Sequence, residues 1–337
     1  MSPSDKRLVD ARQAMREHGV QAWLIPSADP HLSEYLPAHW QIRQWLTGFT
    51  GSVGTVIVTE NDAGLWVDSR YWDQAQQELS GTAIALQRTS SSIDSGYVSW
   101  LASHLTANAV LAVDGRTLSL SAFEALKEQL GTMVATKLDL DIASQIWANR
   151  PALPHAPVWA LPDAFAGDSR TNKLAQVRSQ MKALRADYHF ISTLDDIAWV
   201  LNLRGSDVEF NPVFLSHLLI SPEQATLFVA LEKVSDTLAA ELLADGVVVA
   251  DYSLAFEQLA ALPHTTRLLV DPKRTTCRFA QATSAQIVRS LNPSTRLKAR
   301  KNECELAHWR QTMVADGQAL CEFFALLEQA IEARAES

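Results

Sequence analysis

Short apolar runs alternate with amphipathic stretches over most of the chain, a pattern typical of α/β proteins. Apolar residues recur at helical spacing behind Ser4, so we predict a helix over 4–17 that Ser4 caps. The apolar run 22–25 then predicts a buried strand. A long loop rich in proline, histidine and aromatic residues follows over 26–44.

A hairpin is predicted next, because the β-branched run 53–59 is separated from the apolar run 65–67 by the turn cluster 60–64. The remainder of the first half alternates between helical and strand patterns, at 71–79, 82–87, 97–105, 110–113 and 121–130. Alternation of this kind implies a sheet with helices packed on its faces.

A proline-rich segment separates the two halves of the chain. Proline recurs at every third position from Pro151 to Pro157, with Pro162 close behind. Such spacing cannot continue a helix and favours an extended strap. We therefore place a first domain at 1–150 and a linker at 151–163.

The second half repeats the plan of the first. Its predicted elements are helices at 172–185, 197–203, 234–243 and 254–261, strands at 189–192, 247–249 and 268–270, and a hairpin of 218–221 with 226–230. Trp45 and Trp199 each open a similar segment before a hairpin, and Val113 and Val270 each end a similar strand before an aspartate. Two landmarks at nearly equal spacing indicate an internal duplication, with a second domain at 164–298.

The last segment, 299–337, has a different pattern. One helix is predicted over 302–334, with an apolar stripe that runs from Leu306 to Leu327. A stripe of this kind needs a surface to bury it. We expect this helix to open a third domain whose remainder is missing.

Composition restricts the classes of function. Hydrophobic residues make up 47% of the chain and charged residues 20%, which is ordinary for a soluble globular protein. The net charge is -9 and no stripe of Lys or Arg occurs, so nucleic acid and anionic membranes are poor partners. No run is apolar enough to span a bilayer and no signal-peptide pattern opens the chain, so a cytoplasmic location is expected.

The cysteines indicate neither disulfides nor a zinc site. Cys277, Cys304 and Cys321 are widely spaced and odd in number. We interpret them as buried free thiols in a reducing compartment.

Most catalytic motifs are missing from the sequence. None of the nine histidines pairs with another at i, i+4, and no G-x-S-x-G elbow occurs. His31 and His39 share a loop with Asp29 and Glu34, which is a conceivable metal cluster. We favour a polar loop with surface histidines, because the spacing matches no recognised ligand set.

Two further motifs have structural interpretations. The glycines of 48–54 feed a strand rather than a helix, so a tight entry into the hairpin fits them better than a phosphate loop. Asp195 and Asp196 fit the first turn of a helix, where negative charge suits the helix dipole.

Arg70 and the segment 204–214 are the candidates for function. Arg70 follows the first hairpin and could hold a peptide carbonyl or carboxylate through two donors, or could simply pair with Asp68. The segment 204–214 is irregular and dense in hydrogen-bonding groups. It could carry function on a rigid scaffold, or it could be a polar network that shapes the domain.

The sequence resembles the long, three-domain Xaa-Pro aminopeptidases (aminopeptidase P) over essentially its whole length. The segments that carry the resemblance are NLRGSDVEFNPVF (202–214), IPSADPHLSEY (25–35), GFTGSVG (48–54), DSRY (68–71), KARKN (298–302) and ALCEFF (319–324). The resemblance implies two tandem creatinase N-terminal-type (ribonuclease H-like) α/β domains with mixed sheets flanked by helices, and then the first helix of a pita-bread domain.

The resemblance also implies a function. Members of the family use two divalent metals, commonly manganese, held by two Asp, a His and two Glu, to hydrolyse the bond before a proline in second position. These ligands would lie beyond the present chain, so we expect no metal site and no activity in it. Arg70 corresponds to a family arginine that contacts the peptide, although Ser69 replaces a family glycine. Asp207 and Asn211 are expected to be interface or scaffold residues.

The resemblance further implies a homodimer. Two alternatives remain at this point. The chain could be a stand-alone protein that binds peptides or pairs with a full-length partner. It could also belong to a creatinase or prolidase, against which the duplication and the segment 204–214 argue.

Overall fold

Two six-stranded mixed sheets with the same topology organise the protein. The computed structural model describes residues 1–89 and 96–335. Both sheets have helices on both faces, and separate apolar clusters lie on the two faces of each sheet. The predicted α/β class with two mixed sheets is therefore confirmed.

The first sheet has the spatial order β4-β3-β2-β1-β5-β6. Its strands are β1 (Ala22–Pro26), β2 (Thr55–Thr59), β3 (Ala63–Val67), β4 (Ala85–Arg88), β5 (Ala109–Val113) and β6 (Val134–Lys137). Its helices are α1 (Pro3–Glu17), α2 (Ile42–Thr47), α3 (Trp72–Glu78), α4 (Tyr97–His104), α5 (Leu120–Leu130) and α6 (Ile142–Ile146).

The second half begins with the short strand β7 (Trp159–Ala160) and the short helix α7 (Asp163–Ala166). Its remaining strands are β8 (Tyr188–Ile191), β9 (Leu203–Arg204), β10 (Ser216–Ile220), β11 (Ala225–Val229), β12 (Val247–Asp251), β13 (Arg267–Val270) and β14 (Gln286–Arg289). Its remaining helices are α8 (Arg170–Ala183), α9 (Leu194–Leu201), α10 (Asp236–Ala244), α11 (Ala255–Ala260), α12 (Cys277–Ala282) and α13 (Pro293–Ala299).

The two sheets match strand by strand. The second sheet has the order β12-β11-β10-β8-β13-β14. In each sheet the first strand pairs antiparallel with one hairpin strand and parallel with a later strand. In the first sheet β1 pairs with β2 and β5 in this way, and in the second sheet β8 pairs with β10 and β13. The predicted internal duplication is thus present in the fold.

The two domains meet through a reciprocal set of backbone contacts. Ser119 and Thr276, which lie before the equivalent helices α5 and α12, form an antiparallel bridge. Leu120 N–H donates to the Thr275 carbonyl (2.9 Å), and Cys277 N–H donates to the Leu118 carbonyl (2.8 Å). Because equivalent residues exchange equivalent bonds, an approximate twofold axis passes through this junction.

The side chains at the junction are exchanged as well. Leu120 of the first domain packs in an apolar cluster of the second, with Phe279 and Leu268. Cys277 of the second domain packs in a cluster of the first, with Leu111 and Phe123. Each domain core therefore contains a residue from the other, which joins the two domains over buried apolar surface.

The proline-rich linker lies along the second domain. Trp159 and Ala160 in β7 pair antiparallel with Arg204 and Leu203 in β9. Val158 N–H also donates to the Lys233 carbonyl (2.8 Å). The extended strap expected from the proline spacing is present, and it is tied to the second domain by backbone hydrogen bonds.

The last helix, α14 (Glu303–Ala335), leaves the second domain at one end. Asn302 caps it by accepting the Glu305 N–H (2.8 Å) and also donates to the Ala166 carbonyl (2.8 Å). Beyond this anchor its large apolar residues are exposed, including Trp309, Phe324 and Leu327. The apolar stripe predicted for this helix is therefore uncovered within the described residues. The final two residues of the segment 299–337 lie outside them.

Several elements differ from the sequence prediction. Ser2, not Ser4, caps α1 through a capping box with Asp5, while Ser4 is buried. The predicted loop 26–44 becomes helical from Ala38, because apolar side chains such as Trp40 and Leu46 turn into the core. The edge strands β6 and β14 and the helices α6, α12 and α13 were not predicted, since they are short and have weak periodicity.

Candidate functional site

A groove of about 360 Å³ lies where loops of the two domains meet. Residues 31–35 form one wall. The other wall consists of Thr193, Leu194, Asp195, Val208, Asn211, Val213 and Arg274 from the second domain. We refer to it as the interdomain groove. Polar side chains dominate its mouth, so it can hold a polar ligand without a large apolar contact.

Asp29 builds the wall from the first domain. Its buried carboxylate accepts the N–H groups of His31 and Ser33, both at 2.9 Å. These bonds fix a tight turn in which Leu32 has a positive φ of 53°. The turn leaves Glu34 and Tyr35 exposed at the groove, so Asp29 is a scaffold residue.

Asp207 builds the opposite wall. Its buried carboxylate accepts the Leu215 N–H (2.6 Å) and forms an ion pair with Lys233, which is also buried. The chain passes close at Gly205, where a Cβ would lie 2.6 Å from the Cβ of Phe214. Asp207 therefore belongs to a polar network that shapes the domain, which is one of the two interpretations of the segment 204–214. Asn211 of the same segment is exposed and lines the groove.

Three aromatic side chains seal the floor between the domains. His31 stacks on His217 (ring centroids 4.6 Å apart), and His217 stacks on Tyr252 (5.0 Å). His31 Nδ1 donates to the Ser192 carbonyl (2.9 Å), which leaves its Nε2 to accept the Tyr252 hydroxyl (2.9 Å). Burial lowers the pKa of both histidines, most strongly that of His217. Both are therefore neutral at pH 7.

Arg70 lies on the short 3₁₀ turn Ser69–Tyr71 that follows β3. Its guanidinium donates to both carboxylate oxygens of Asp68 (2.9 and 2.8 Å), and 65% of its side chain is exposed. Hydrogen bonding to Asp68 raises the pKa of Arg70, and the Glu34 carboxylate of the groove adds to this in a small way. Ser69 adopts an ordinary 3₁₀ conformation, so the turn does not require glycine there.

Arg43 holds the glycine-rich segment 48–54 next to Arg70. Its buried guanidinium donates to the Phe49 carbonyl (3.0 Å), to the Gly51 carbonyl and to Ser27 Oγ (2.7 Å). Burial lowers the pKa of Arg43 to about 10. Gly48 has a positive φ of 80° at the end of α2, which confirms a tight entry into the hairpin. The hydrogen bonds from Arg43 make this segment part of the scaffold.

The histidines of the loop do not form a metal site. His31 is buried rather than at the surface, so our interpretation of a surface histidine was wrong for it. His39 bonds the Pro151 carbonyl instead of a carboxylate. Among residues 1–89 and 96–335 no group of three or more His, Cys, Asp or Glu is placed to hold a metal ion. No metal-dependent step is assigned to these residues.

Two other sequence interpretations are settled by side-chain positions. Asp195 and Asp196 do lie in the first turn of α9, and buried Asp196 also accepts from Thr295 and Lys298 (both 2.7 Å), which ties α13 to α9. The cysteines are free, but only Cys277 is buried, and Cys321 is exposed on α14. The expectation of buried thiols was wrong for Cys321, because α14 is uncovered.

Sequence reasoning missed three buried polar residues. His217 and Tyr252 lie against His31 between the domains, and Lys233 pairs with Asp207 inside the second domain. None of the three belongs to a motif that the sequence analysis singled out. The only signal was a histidine inside the apolar strand pattern of β10. Their roles depend on contacts with residues far away in the chain, which a sequence pattern does not contain.

Family models match both halves of the chain. Residues 7–144 and residues 149–305 each match a model described as the creatinase/prolidase N-terminal domain. Xaa-Pro aminopeptidase 1 of Dictyostelium discoideum is 32% identical over 97% of this chain and 53% of its own length. A probable Xaa-Pro aminopeptidase P of Laccaria bicolor is 33% identical over 96% of this chain and 51% of its own.

A solved structure matches the whole fold. It is an X-prolyl aminopeptidase from Caenorhabditis elegans, described as a cytosolic enzyme with a di-nuclear active site. The TM-score is 0.90 at 25% identity, over 98% of this chain and 56% of that one. The chain thus spans about half the length of the relatives it matches. Within the described residues, no helix has the length and apolarity needed to cross a membrane.

Proposed function

The chain belongs to the creatinase/prolidase N-terminal domain family, with one such domain in each half, and on that premise we propose that it is the N-terminal, non-catalytic region of an Xaa-Pro aminopeptidase. The intact enzyme would release the N-terminal residue of peptides that have proline in the second position. The observation that carries the proposal is the similarity, over 97% of this chain, to an aminopeptidase about twice as long.

We assign this region a part in shaping the substrate cleft, through Arg70. The Asp68 carboxylate orients the guanidinium, and the exposed position leaves donors free for a peptide carbonyl or carboxylate. The groove wall with Glu34 lies close enough to act on the charge of Arg70. Asn211 faces the same groove from the second domain and is a scaffold or interface residue in this proposal.

The exposed apolar face of α14 supports a catalytic domain beyond the second domain. Trp309, Phe324 and Leu327 are each more than 40% exposed and need a covering surface. We propose that 299–337 opens that domain, after domains at 1–150 and 164–298 and a linker at 151–163. The same region would contribute to a homodimer.

The catalytic metals belong to the proposed remainder of the enzyme. Two divalent ions, in our proposal manganese, would activate water there, and the described residues supply no ligand set for them. The C. elegans enzyme is described as having a di-nuclear active site and as cytosolic. We propose the same cofactor number and a cytoplasmic location for the intact protein.

The alternative is a stand-alone protein that binds peptides or pairs with a full-length enzyme. The apolar face of α14 would then be buried against another chain. A peptidase assay separates the two functions. We expect the intact protein, loaded with manganese, to release arginine from Arg-Pro-Pro, and the 337-residue chain to release none. Turnover by the 337-residue chain alone would contradict the proposal, as would an intact reading frame without peptidase activity.

Arg70→Ala in the intact enzyme tests the proposed contact with substrate. Loss of one charge-assisted hydrogen bond should lower kcat/KM for Arg-Pro-Pro by about tenfold, with unchanged thermal unfolding. Arg16 is a matched control, because it is an exposed arginine of the first domain that pairs with Glu60. We expect Arg16→Ala to leave kcat/KM unchanged. Equal values for the two variants would remove Arg70 from the substrate site.

A further inference from the structure

A second cavity between the domains, of about 390 Å³, is distinct from the interdomain groove. We call it the aromatic cavity, because Trp40, Tyr252, Phe256 and Phe279 line it. Its size is in the range of small-molecule sites, which are apolar with a few convergent polar groups. His217 lies on the wall between the groove and this cavity.

The charge of the lining favours an anion. Arg116 and Arg278 line the cavity, and no carboxylate does. Arg116 is neutralised by Asp114 and Asp141. Arg278 has no ion pair or side-chain hydrogen bond among the described residues and packs only over the ring of Phe256, 4.8 Å from its centroid. Its guanidinium is the uncompensated charge of this cavity.

We infer that the aromatic cavity binds a small monocarboxylate with an aromatic or aliphatic body. The carboxylate pairs with the Arg278 guanidinium. The apolar body packs against Phe256, Phe279 and Leu153. This site is independent of the proposed peptidase function, because none of its residues belongs to the groove wall that carries Glu34 or to the turn that carries Arg70.

The test uses 3-phenylpropionate as the probe, with the 337-residue chain and isothermal titration calorimetry. We expect saturable binding of 3-phenylpropionate, and binding at least tenfold weaker for its neutral amide and for acetate. The amide loses the charge and acetate loses the apolar body. No saturable binding of 3-phenylpropionate, or equal binding of its amide, would overturn the inference and leave a cavity occupied by water only.

Variants locate the binding. Arg278→Met removes the guanidinium and should weaken binding at least tenfold. Arg296→Met is the control and should leave binding unchanged, because Arg296 is an exposed arginine of the second domain that lines neither this cavity nor the interdomain groove. Ala255→Leu fills the cavity without a change of charge and should also abolish binding. Undiminished affinity in either Arg278→Met or Ala255→Leu would place the ligand elsewhere and overturn the assignment.

Discussion

The 3₁₀ turn after the third strand of each sheet has the same position in the two domains and opposite surroundings. In the first domain this turn, Ser69–Tyr71, presents Arg70 to solvent beside Asp68. In the second domain the turn Leu231–Lys233 buries its cation, Lys233, against Asp207. Duplication therefore preserved the backbone of this turn and changed where its charge lies. One copy stabilises the domain, and the other leaves a charged group available for a ligand.

The largest effect is expected from Lys233→Met. Removing the ammonium leaves the Asp207 carboxylate buried without a counter-charge, which costs about 3–5 kcal/mol. Urea-induced unfolding at pH 7 measures this as a lower midpoint. Arg70→Met removes the exposed ion pair at the turn of the first domain and should leave the midpoint unchanged.

Lys233→Met combined with Asp207→Asn sharpens the same comparison. The double variant removes both buried charges, so we expect it to recover part of the loss. If Lys233→Met and Arg70→Met shifted the midpoint equally, burial would not distinguish the two turns.

The second prediction concerns pH, because only the second sheet has a histidine at a core position of its first strand. His189 occupies the position in β8 that Trp23 occupies in β1. His189 pairs with Leu269 of β13, and Trp23 pairs with the equivalent Ala112 of β5. Burial lowers the pKa of His189 to about 4. The unfolded chain therefore binds this proton more readily than the folded chain, and stability is lost as pH falls from about 6.5 towards 4.

Urea unfolding at pH 7 and pH 5 measures this loss. Between pH 6.5 and 4 the free energy of unfolding should fall by about 1.4 kcal/mol per pH unit for each such buried histidine, with His217 adding to His189. His189→Asn keeps a donor for the Leu269 carbonyl and should make the dependence shallower. An unchanged slope in His189→Asn would show that His189 does not titrate in this window.

The smallest expected effects come from equivalent glycines that precede the first strand of each hairpin. A Cβ on Gly205 would lie 2.6 Å from the Cβ of Phe214 and 3.1 Å from the Val213 carbonyl, which are fixed by the backbone. On Gly51 its three nearest atoms would be ring atoms of Phe49 and Tyr71, the closest at 2.3 Å, and rings can turn aside. Gly205→Ala should therefore cost about 1–3 kcal/mol in urea unfolding, and more than Gly51→Ala. Gly317→Ala, in open space on α14, should stabilise that helix slightly. If Gly51→Ala lowered the free energy of unfolding as much as Gly205→Ala, the rings of Phe49 and Tyr71 would be unable to move aside.

Much of the fold was predictable because it depends on local periodicity. The helix at 4–17, the hairpin of 53–59 with 65–67 and the duplication were all predicted from local sequence patterns. The edge strand β14 was missed because its residues are only partly buried or exposed and so do not form a clear apolar run. Boundaries moved where a neighbouring residue competed for the same role, as Ser2 did with Ser4 for the cap of α1.

The site was less predictable than the fold. The pairing of Arg70 with Asp68 joins residues two positions apart, so the sequence shows both partners next to each other. The contact of His31 with Tyr252 joins residues of different domains, and no local pattern contains it. Charge alone also gave no clue that Lys233 is buried, since lysine is seldom inside a protein.

The exchange of hydrogen bonds at the Ser119–Thr276 bridge has a consequence for the origin of the chain. A contact in which residue i meets j and j meets i is isologous, the kind formed by two identical subunits in a symmetric dimer. The junction therefore has the symmetry of a subunit interface inside one polypeptide. Covalent linkage holds its two sides at high effective concentration. The two sides no longer need to be identical, and leucine at position 120 corresponds to cysteine at position 277.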